Sequence, residues 1–490
     1  MTGQITGARA EVDGQAARQG SSSDVFQFAV RALRVLRSFH WILLIAIILT
    51  GSSVRMSFWD QDVGGKNTFR QGHVVNDVIS FMATWDGPEL EPLERFDKTW
   101  GIGLRLFDAP IFQIFSAAIA DVTPLSPVNS ARAVSLASFA ITTAAVFWIG
   151  RFAGRSKTVG LLAAAIFAFS PLSMHYFGAP LPDTLSIALS MSSVVALVKY
   201  VRTRRKVWLF VAIALIMPAV IIKPPSTAVA LGGAGSYIAY RWATRRESLF
   251  SCMSMGIYFL AAVVAAVSFS ALLAQVNWDQ WTLPPAQRTW YFGSIEQRLH
   301  PENWRMMASI ARREFGPQEF VFVFGLLGAG ILATRVLLRR AWDGQWMILG
   351  MVGGMLLSTL VFFNVTHLHN YYLLPALPPF AIISALGIHR TVRFLMRTKP
   401  VALALDRWYA SAGYQAQYRL TYVRLMVSVI TISIGIFFVP YSIQQPVLNY
   451  HWSTLKSQEG QFVREHVSNS GFVLYWTERN PSPQYHYYLK

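Results

Sequence analysis

The chain has 490 residues, 53% hydrophobic and only 14% charged, with a net charge of +18 and a mean hydropathy of +0.37. Apolar runs of about 17 residues or more recur along it, each long enough to cross roughly 30 Å of hydrocarbon, which excludes a soluble globular fold. The basic residues sit in short blocks between those runs, the pattern of cytoplasmic loops rather than of a nucleic-acid surface. The single cysteine, Cys252, excludes an intrachain disulfide and a multi-cysteine metal site, and at the start of an apolar run it reads as a buried, inert residue.

Residues 1–30 form an N-terminal tail; the first 24 are small and polar, a composition that favours disorder, with no cleavable leader expected. Arg31, Arg34 and Arg37 precede the first span, near 38–56, and hold the N-terminus in the cytoplasm. A long polar loop, 58–128, comes next. It carries ten acids between Asp60 and Asp121 against five bases, the one acidic region of a basic chain.

Within this loop residues 70–85 have helical periodicity. Phe69, Val74, Val78, Phe81 and Trp85 make an apolar stripe, and Arg70, His73, Asp77, Ser80 and Thr84 line the other side. Such a helix would rest on the membrane surface and turn His73 and Asp77 toward a polar cavity, or simply toward water. Asp60 and Asp62 come soon after the first span, where a carboxylate can deprotonate an acceptor hydroxyl or cap the next element. Asp108 opens the apolar stretch 107–120, too short for a comfortable span and suited to an interfacial or re-entrant helix; there too capping competes with chemistry.

Further spans fall near 129–150, 158–176, 184–200, 207–222, 225–240, 251–274, 319–338, 346–363, 371–389 and 423–441. This gives eleven crossings, or up to thirteen if 107–120 or a missed segment crosses. The basic blocks 151–157, 199–206, 241–246, 335–340 and 390–422 then lie inside. Outside lie 58–128, 177–183, the link at Lys223, the tryptophan-bearing stretch 275–318, 364–370 and a small tail, 442–490.

The external connections carry the remaining polar candidates. His175, Tyr176 and Asp183 bracket one turn; Asp183 comes after Pro182 at a span start, where capping again competes. Lys223, in IIKPPST, is a point charge suited to a phosphate, or a lysine snorkelling to a headgroup. In NVTHLHNYYLLP, His367, His369, Asn370, Tyr371 and Tyr372 gather at a helix start; two histidines two apart, with no third ligand at obvious spacing, do not make a zinc site.

Phe69-Arg70-Gln71, the acid-led run Asp108-Ala109-Pro110-Ile111-Phe112, Ser170-Pro171 through Pro182-Asp183, Lys223-Pro224 and His369-Asn370-Tyr371-Tyr372 occur in this order. Together they resemble the bacterial membrane glycosyltransferases of the GT-C fold, the group that includes aminoarabinose lipid A transferases and protein mannosyltransferases. The likeness covers about residues 38–390. It departs where relatives carry a polar residue or aspartate after Arg-Gln and this chain has Gly72-His73.

The resemblance implies an all-α polytopic GT-C fold, with a transmembrane domain over 31–441 and amphipathic helices in its long first external loop. It implies a hexosyl or pentosyl transferase of the bacterial inner membrane, with its site and C-terminus extracytoplasmic. The donor would be a polyprenyl-phosphate-linked sugar and the acceptor a lipid, glycan or protein. The base would be Asp60 or Asp62, with Asp77 and Asp108 as alternatives. Arg70, His73, His175, Asp183, Lys223, His369, Tyr371 and Tyr372 would bind donor phosphate and sugar. No cofactor or metal site is assigned, although a divalent metal is compatible with the chemistry. A lipid-linked polysaccharide ligase or polymerase, or a secondary transporter, are the alternative readings.

Overall fold

The computed structural model describes residues 40–57, 59, 68–86, 109–276, 291–315 and 318–395, and every regular element among them is a helix. Asp60, Asp62 and Asp108, the span near 423–441 and the tail 442–490 lie outside the described residues. The chain divides into two units, 1–46 and 47–490. Helix α1 (His40–Met56) begins in the first unit, and all later helices belong to the second.

Helices α2 (Thr68–Asp86) and α3 (Ile111–Val122) precede α4 (Pro127–Gly154). Next come α5 (Lys157–Phe169), α6 (Pro171–Tyr176), α7 (Pro182–Thr203), α8 (Lys206–Ile222), α9 (Pro224–Ala243) and α10 (Leu249–Val276). The short α11 (Ile295–Leu299) and α12 (Pro301–Glu314) lead to α13 (Gln318–Leu337), α14 (Asp343–Val361) and α15 (Phe363–Leu368). A 3-10 helix, Asn370–Ala376, then runs into α16 (Leu377–Leu395).

Among the described residues, five stretches are long and apolar enough to cross a membrane: α4, α7, Ser251–Leu272 of α10, α14, and Asn370–Leu395. Shorter apolar helices accompany them, and the chain is a multi-pass membrane protein. Helix α3, at 12 residues, is about 18 Å long, too short to span.

Two prolines set helix breaks, one inside a stretch that the hydropathy pattern reads as a single span and one at the expected link. The expected span 158–176 is divided at Ser170 into α5 and α6, because Pro171 forces the residue before it out of the helical region; Ser170 has φ −68° and ψ 143°. Pro224 does the same to Lys223, at φ −156° and ψ 89°, which ends α8 and starts α9. The first break is stitched by a residue outside the expected candidates. Arg55 is buried, and its guanidinium donates to the Ala168 carbonyl (2.9 Å) and the Ser173 hydroxyl (2.8 Å). It also donates to the Gly51 carbonyl (2.7 Å) and lies 3.7 Å from the Phe139 ring centre. It therefore satisfies a carbonyl in the last turn of α5, at the proline break.

Small residues set the closest helix contacts. A Cβ on Gly354 would stand 2.1 Å from the Ala228 carbonyl oxygen, and one on Gly350 2.2 Å from that of Gly232, so α9 and α14 meet backbone to backbone. Gly328 and Gly387 make the same kind of contact between α13 and α16. In hydrocarbon, where apolar lipid competes equally with apolar side chains, such close approach is a main source of helix association.

The bundle has two distinct ends. At one, Glu247 pairs with Arg204 and Arg241, while Asp343 pairs with Arg241 (2.8 Å) and Arg246, joining the ends of α7 and α9 to the starts of α10 and α14. Burial alone would raise the Glu247 carboxyl, but hydrogen bonds from Arg204, Arg241 and Ser251 hold it below the usual range. Four arginines at this end, Arg155, Arg204, Arg245 and Arg339, adopt φ between 50° and 58°, each closing a helix. That conformation costs an L-residue about 1–2 kcal/mol, and a cation at the negative end of a helix offsets part of it. The opposite end gathers the starts of α4, α7 and α9 and the 3-10 helix. Cys252, expected to be buried, is half-buried instead, because it starts a helix whose apolar length is covered by little protein.

Candidate active site

Helix α2 forms one wall. Val74, Val75 and Val78 are fully buried: Val74 packs with Phe112, Ala131, Val134, Leu185 and Ile222, and Val75 with Val128. The expected surface helix thus has its valine face covered by other helices of the protein, and Gln71 lies buried on that same face. Its polar neighbours Arg70, His73 and Asp77 are half-buried. Asp77 accepts a hydrogen bond from Nε2 of Gln113 (3.2 Å), a buried residue of α3 that has no distinguishing sequence signal.

The chain on either side of the undescribed acids is anchored at this end. The Ala109 N–H donates to the Ile221 carbonyl (3.1 Å), which ties the residue after Asp108 to the turn before Lys223. The Trp59 carbonyl, just before Asp60, accepts from Arg132 (3.0 Å), a buried cation near the start of α4.

Lys223 sits at the centre. It is buried, its N–H bonds to the Ala219 carbonyl (3.1 Å), and Ser186 of α7 bonds to the same carbonyl (2.9 Å). Its ammonium lies 5.2 Å from the Tyr372 ring centre. Tyr371 is within electrostatic reach of Tyr372, Lys223, Arg70 and Asp183 together. Asp183 is buried at the second position of α7; Leu181 occupies the N-cap, so the carboxylate is not the cap. One neighbourhood therefore collects groups from α2, the start of α7, the α8–α9 break and the 3-10 helix.

An aromatic and polar chain extends from there. Tyr371 packs near His369 (5.5 Å between ring centres), Tyr372 (4.7 Å) and Tyr176 (6.1 Å). His175 is buried edge-on against Tyr176 at 4.7 Å. The Tyr176 hydroxyl donates to the Asn370 side-chain oxygen, and the Asn370 amide donates to Glu314 (3.5 Å) at the end of α12. Glu314, buried and 56 residues upstream of its partner, is a further residue that sequence pattern does not reveal.

Arg70, Asp183, Lys223, His369, Tyr371 and Tyr372 thus share one neighbourhood, with His175 one ring away and Asp77 and His73 on the α2 wall. Among the described residues no three His, Cys, Asp or Glu side chains stand together as a metal site.

Burial, and then the positive charge of Lys223, pull the His369 imidazole below the usual histidine range, so it is neutral at pH 7. The unfolded chain therefore takes up the proton first as pH falls. Stability is expected to be unaffected by this group above the unfolded histidine pKa, to decline as pH drops through that value, and to level off below the folded one. Thermal unfolding between about pH 7.5 and 5 should show this decline, and His369→Gln should flatten it; an unchanged pH slope in the variant would remove His369 as the source.

No protein-family model matches the sequence, and no curated protein matches it. Among solved structures the chain is similar to ArnT from Cupriavidus metallidurans bound to undecaprenyl phosphate, at 14% identity and a TM-score of 0.56. The match covers 92% of this chain and 85% of that one. The apo state of the same protein matches at 13% identity and a TM-score of 0.56, over 93% and 85% of the two chains. ArnT is a GT-C glycosyltransferase.

This chain has the GT-C fold.

At this identity the likeness is one of fold, and it agrees with the all-α architecture expected from the residues. In this GT-C chain, Arg55 and Arg132 carry a usable sequence signal of their own: each is a lone charge inside an apolar run, where an ionisable residue faces protein or a cavity rather than lipid. Gln113 and Glu314 carry none, since their roles depend on partners far along the chain.

Proposed function

We propose that this chain is a glycosyltransferase that moves a hexosyl or pentosyl unit from a polyprenyl-phosphate carrier to a lipid, glycan or protein acceptor, on the extracytoplasmic side of the bacterial inner membrane. The observation that carries this reading is the buried Lys223 at a proline-broken helix, sharing the surroundings of Tyr371 with Arg70 and Asp183. The fold supports it, because the ArnT structure of the same fold is bound to undecaprenyl phosphate.

The donor phosphate would rest against Lys223 and Arg70. An acceptor hydroxyl attacks the anomeric carbon, the bond from that carbon to the phosphate oxygen breaks, and polyprenyl phosphate leaves with the electron pair. The hydroxyl proton passes to a carboxylate, and the anomeric configuration inverts. Asp60 and Asp62 are the first candidates for that base, with Asp77 and Asp108 as alternatives; Asp77 is the one whose surroundings are described, and Gln113 would orient it. Lys223 and Arg70 offset the charge that grows on the departing phosphate. His175, His369 and Tyr371, with His73, Asp183 and Tyr372, would orient the sugar and its phosphate.

The test incubates purified protein with a panel of polyprenyl-phosphate sugars and tracks release of polyprenyl phosphate. Among Asp60→Asn, Asp62→Asn, Asp77→Asn and Asp108→Asn, one variant should lose roughly 10²–10⁴-fold in turnover while keeping its fold. Full turnover in all four would overturn the assignment of the base to these aspartates.

A further inference from the structure

We infer that the end of the bundle remote from Lys223 carries a second anion site, built by Arg155, Arg335 and Arg340 around Trp342, which takes the phosphodiester of an anionic phospholipid. The guanidinium groups of Arg155 and Arg335 lie 4.6 and 4.3 Å from the Trp342 ring centre, and Arg335 is within electrostatic reach of both Arg155 and Arg340. Three like charges repel one another, yet among the described residues none of the three pairs with a carboxylate. The nearest acid along the chain, Asp343, is taken by Arg241 and Arg246.

The cluster is held rigidly rather than left to wave in solvent. The Trp342 indole donates to the Ala153 carbonyl (2.8 Å) in the last turn of α4, and a Cβ on Gly344 would already meet the Ala153 backbone at 2.8 Å. Arg335 donates through Nε to the buried Gln345 (3.0 Å) and through Nη2 to the Arg340 carbonyl (2.9 Å). Its Nη1 makes no hydrogen bond among the described residues. Arg155 closes α4 with a left-handed backbone at φ 50°, its N–H donating to the Phe152 carbonyl.

Directly beside the cluster, Leu337 and Leu338 are 82% and 58% exposed. A soluble anion would have no use for that leucine pair, whereas a phospholipid presents a phosphate and an acyl chain at such a boundary between charge and exposed hydrocarbon. The shared chemistry is a phosphate; the exposed leucines favour the lipid as its source.

The test uses the full chain in detergent, with thermal unfolding monitored after adding dioleoyl phosphatidylglycerol, dioleoyl phosphatidylcholine or inorganic phosphate. Phosphatidylglycerol should raise the unfolding midpoint, and the other two at equal concentration should not. Arg340→Gln and the double variant Arg155→Gln/Arg340→Gln should weaken the apparent affinity for phosphatidylglycerol by roughly fivefold per arginine. Neither side chain makes a hydrogen bond among the described residues, so both variants should unfold near the wild-type midpoint without lipid. A phosphatidylglycerol shift retained in full by the double variant would overturn the site. An equal shift with inorganic phosphate would overturn its assignment to a lipid.

Discussion

Lys223→Met is expected to lower transfer from a polyprenyl-phosphate sugar by roughly 10²–10³-fold, with the larger part of the loss in kcat. The donor carries one negative charge on its phosphodiester, and the departing phosphate monoester carries nearly two. The second charge develops only as the bond breaks, so a cation at that point acts more strongly on the transition state than on the bound donor. Lys223 is 6% exposed, and water can do little to replace it there. Methionine keeps most of the stem and its packing beside Tyr372 while removing the charge. Steady-state kinetics on the purified variant measure the split. Turnover within about threefold of wild type would mean that no phosphate charge develops next to Lys223. A rise in KM alone would assign the lysine to donor binding.

The second large effect concerns stability. Gly354→Ala should destabilise the protein by about 2–3 kcal/mol, while Gly353→Ala, one residue earlier, should be neutral or stabilise it by up to about 1 kcal/mol. Alanine is the better helix former at both positions, so propensity alone predicts the same gain for each. Space decides the difference. A Cβ on Gly354 falls 2.1 Å from the Ala228 oxygen and 3.1 Å from the Val229 Cα, both backbone atoms that cannot swing aside, whereas one on Gly353 meets nothing within 4 Å. Thermal unfolding of the two variants in the same detergent gives the comparison. Equal behaviour would show that α9 and α14 do not meet backbone to backbone.

The Gly354 contact also bears on chemistry. Helix α9 starts at Lys223, and α14 leads through α15 to His369 and Tyr371. Pushing these helices apart moves the two halves of the candidate site relative to each other, so Gly354→Ala should lose activity at temperatures where it is still folded.

Much of the architecture is legible in residue types alone. Each apolar run announces a helix because every unsatisfied peptide group in hydrocarbon is costly, and that cost acts locally along the chain. The polar interruptions at Asp183, Lys223 and His369 are visible for the same reason: charge and proline at the border of a span are conspicuous against their surroundings. Their shared end emerges from counting crossings and basic loops. The α2 helix is legible in extent, but its setting is not, since a valine stripe looks the same whether lipid or Phe112 covers it. The break at Ser170 is hidden because Pro171 interrupts a run that stays apolar on both sides.

By itself, then, the sequence determined a polytopic helical chain, the borders of most of its described helices, and which polar groups cluster at helix breaks, because the bilayer selects for these residue by residue. The tertiary structure alone decided that Gln113 turns to Asp77, that Arg55 reaches Ala168 across the proline break, and that Asn370 links Tyr176 to Glu314. Each of these joins residues tens to nearly two hundred positions apart. No local preference encodes such pairs; they exist only once the helices have packed close enough for a single hydrogen bond to close the gap.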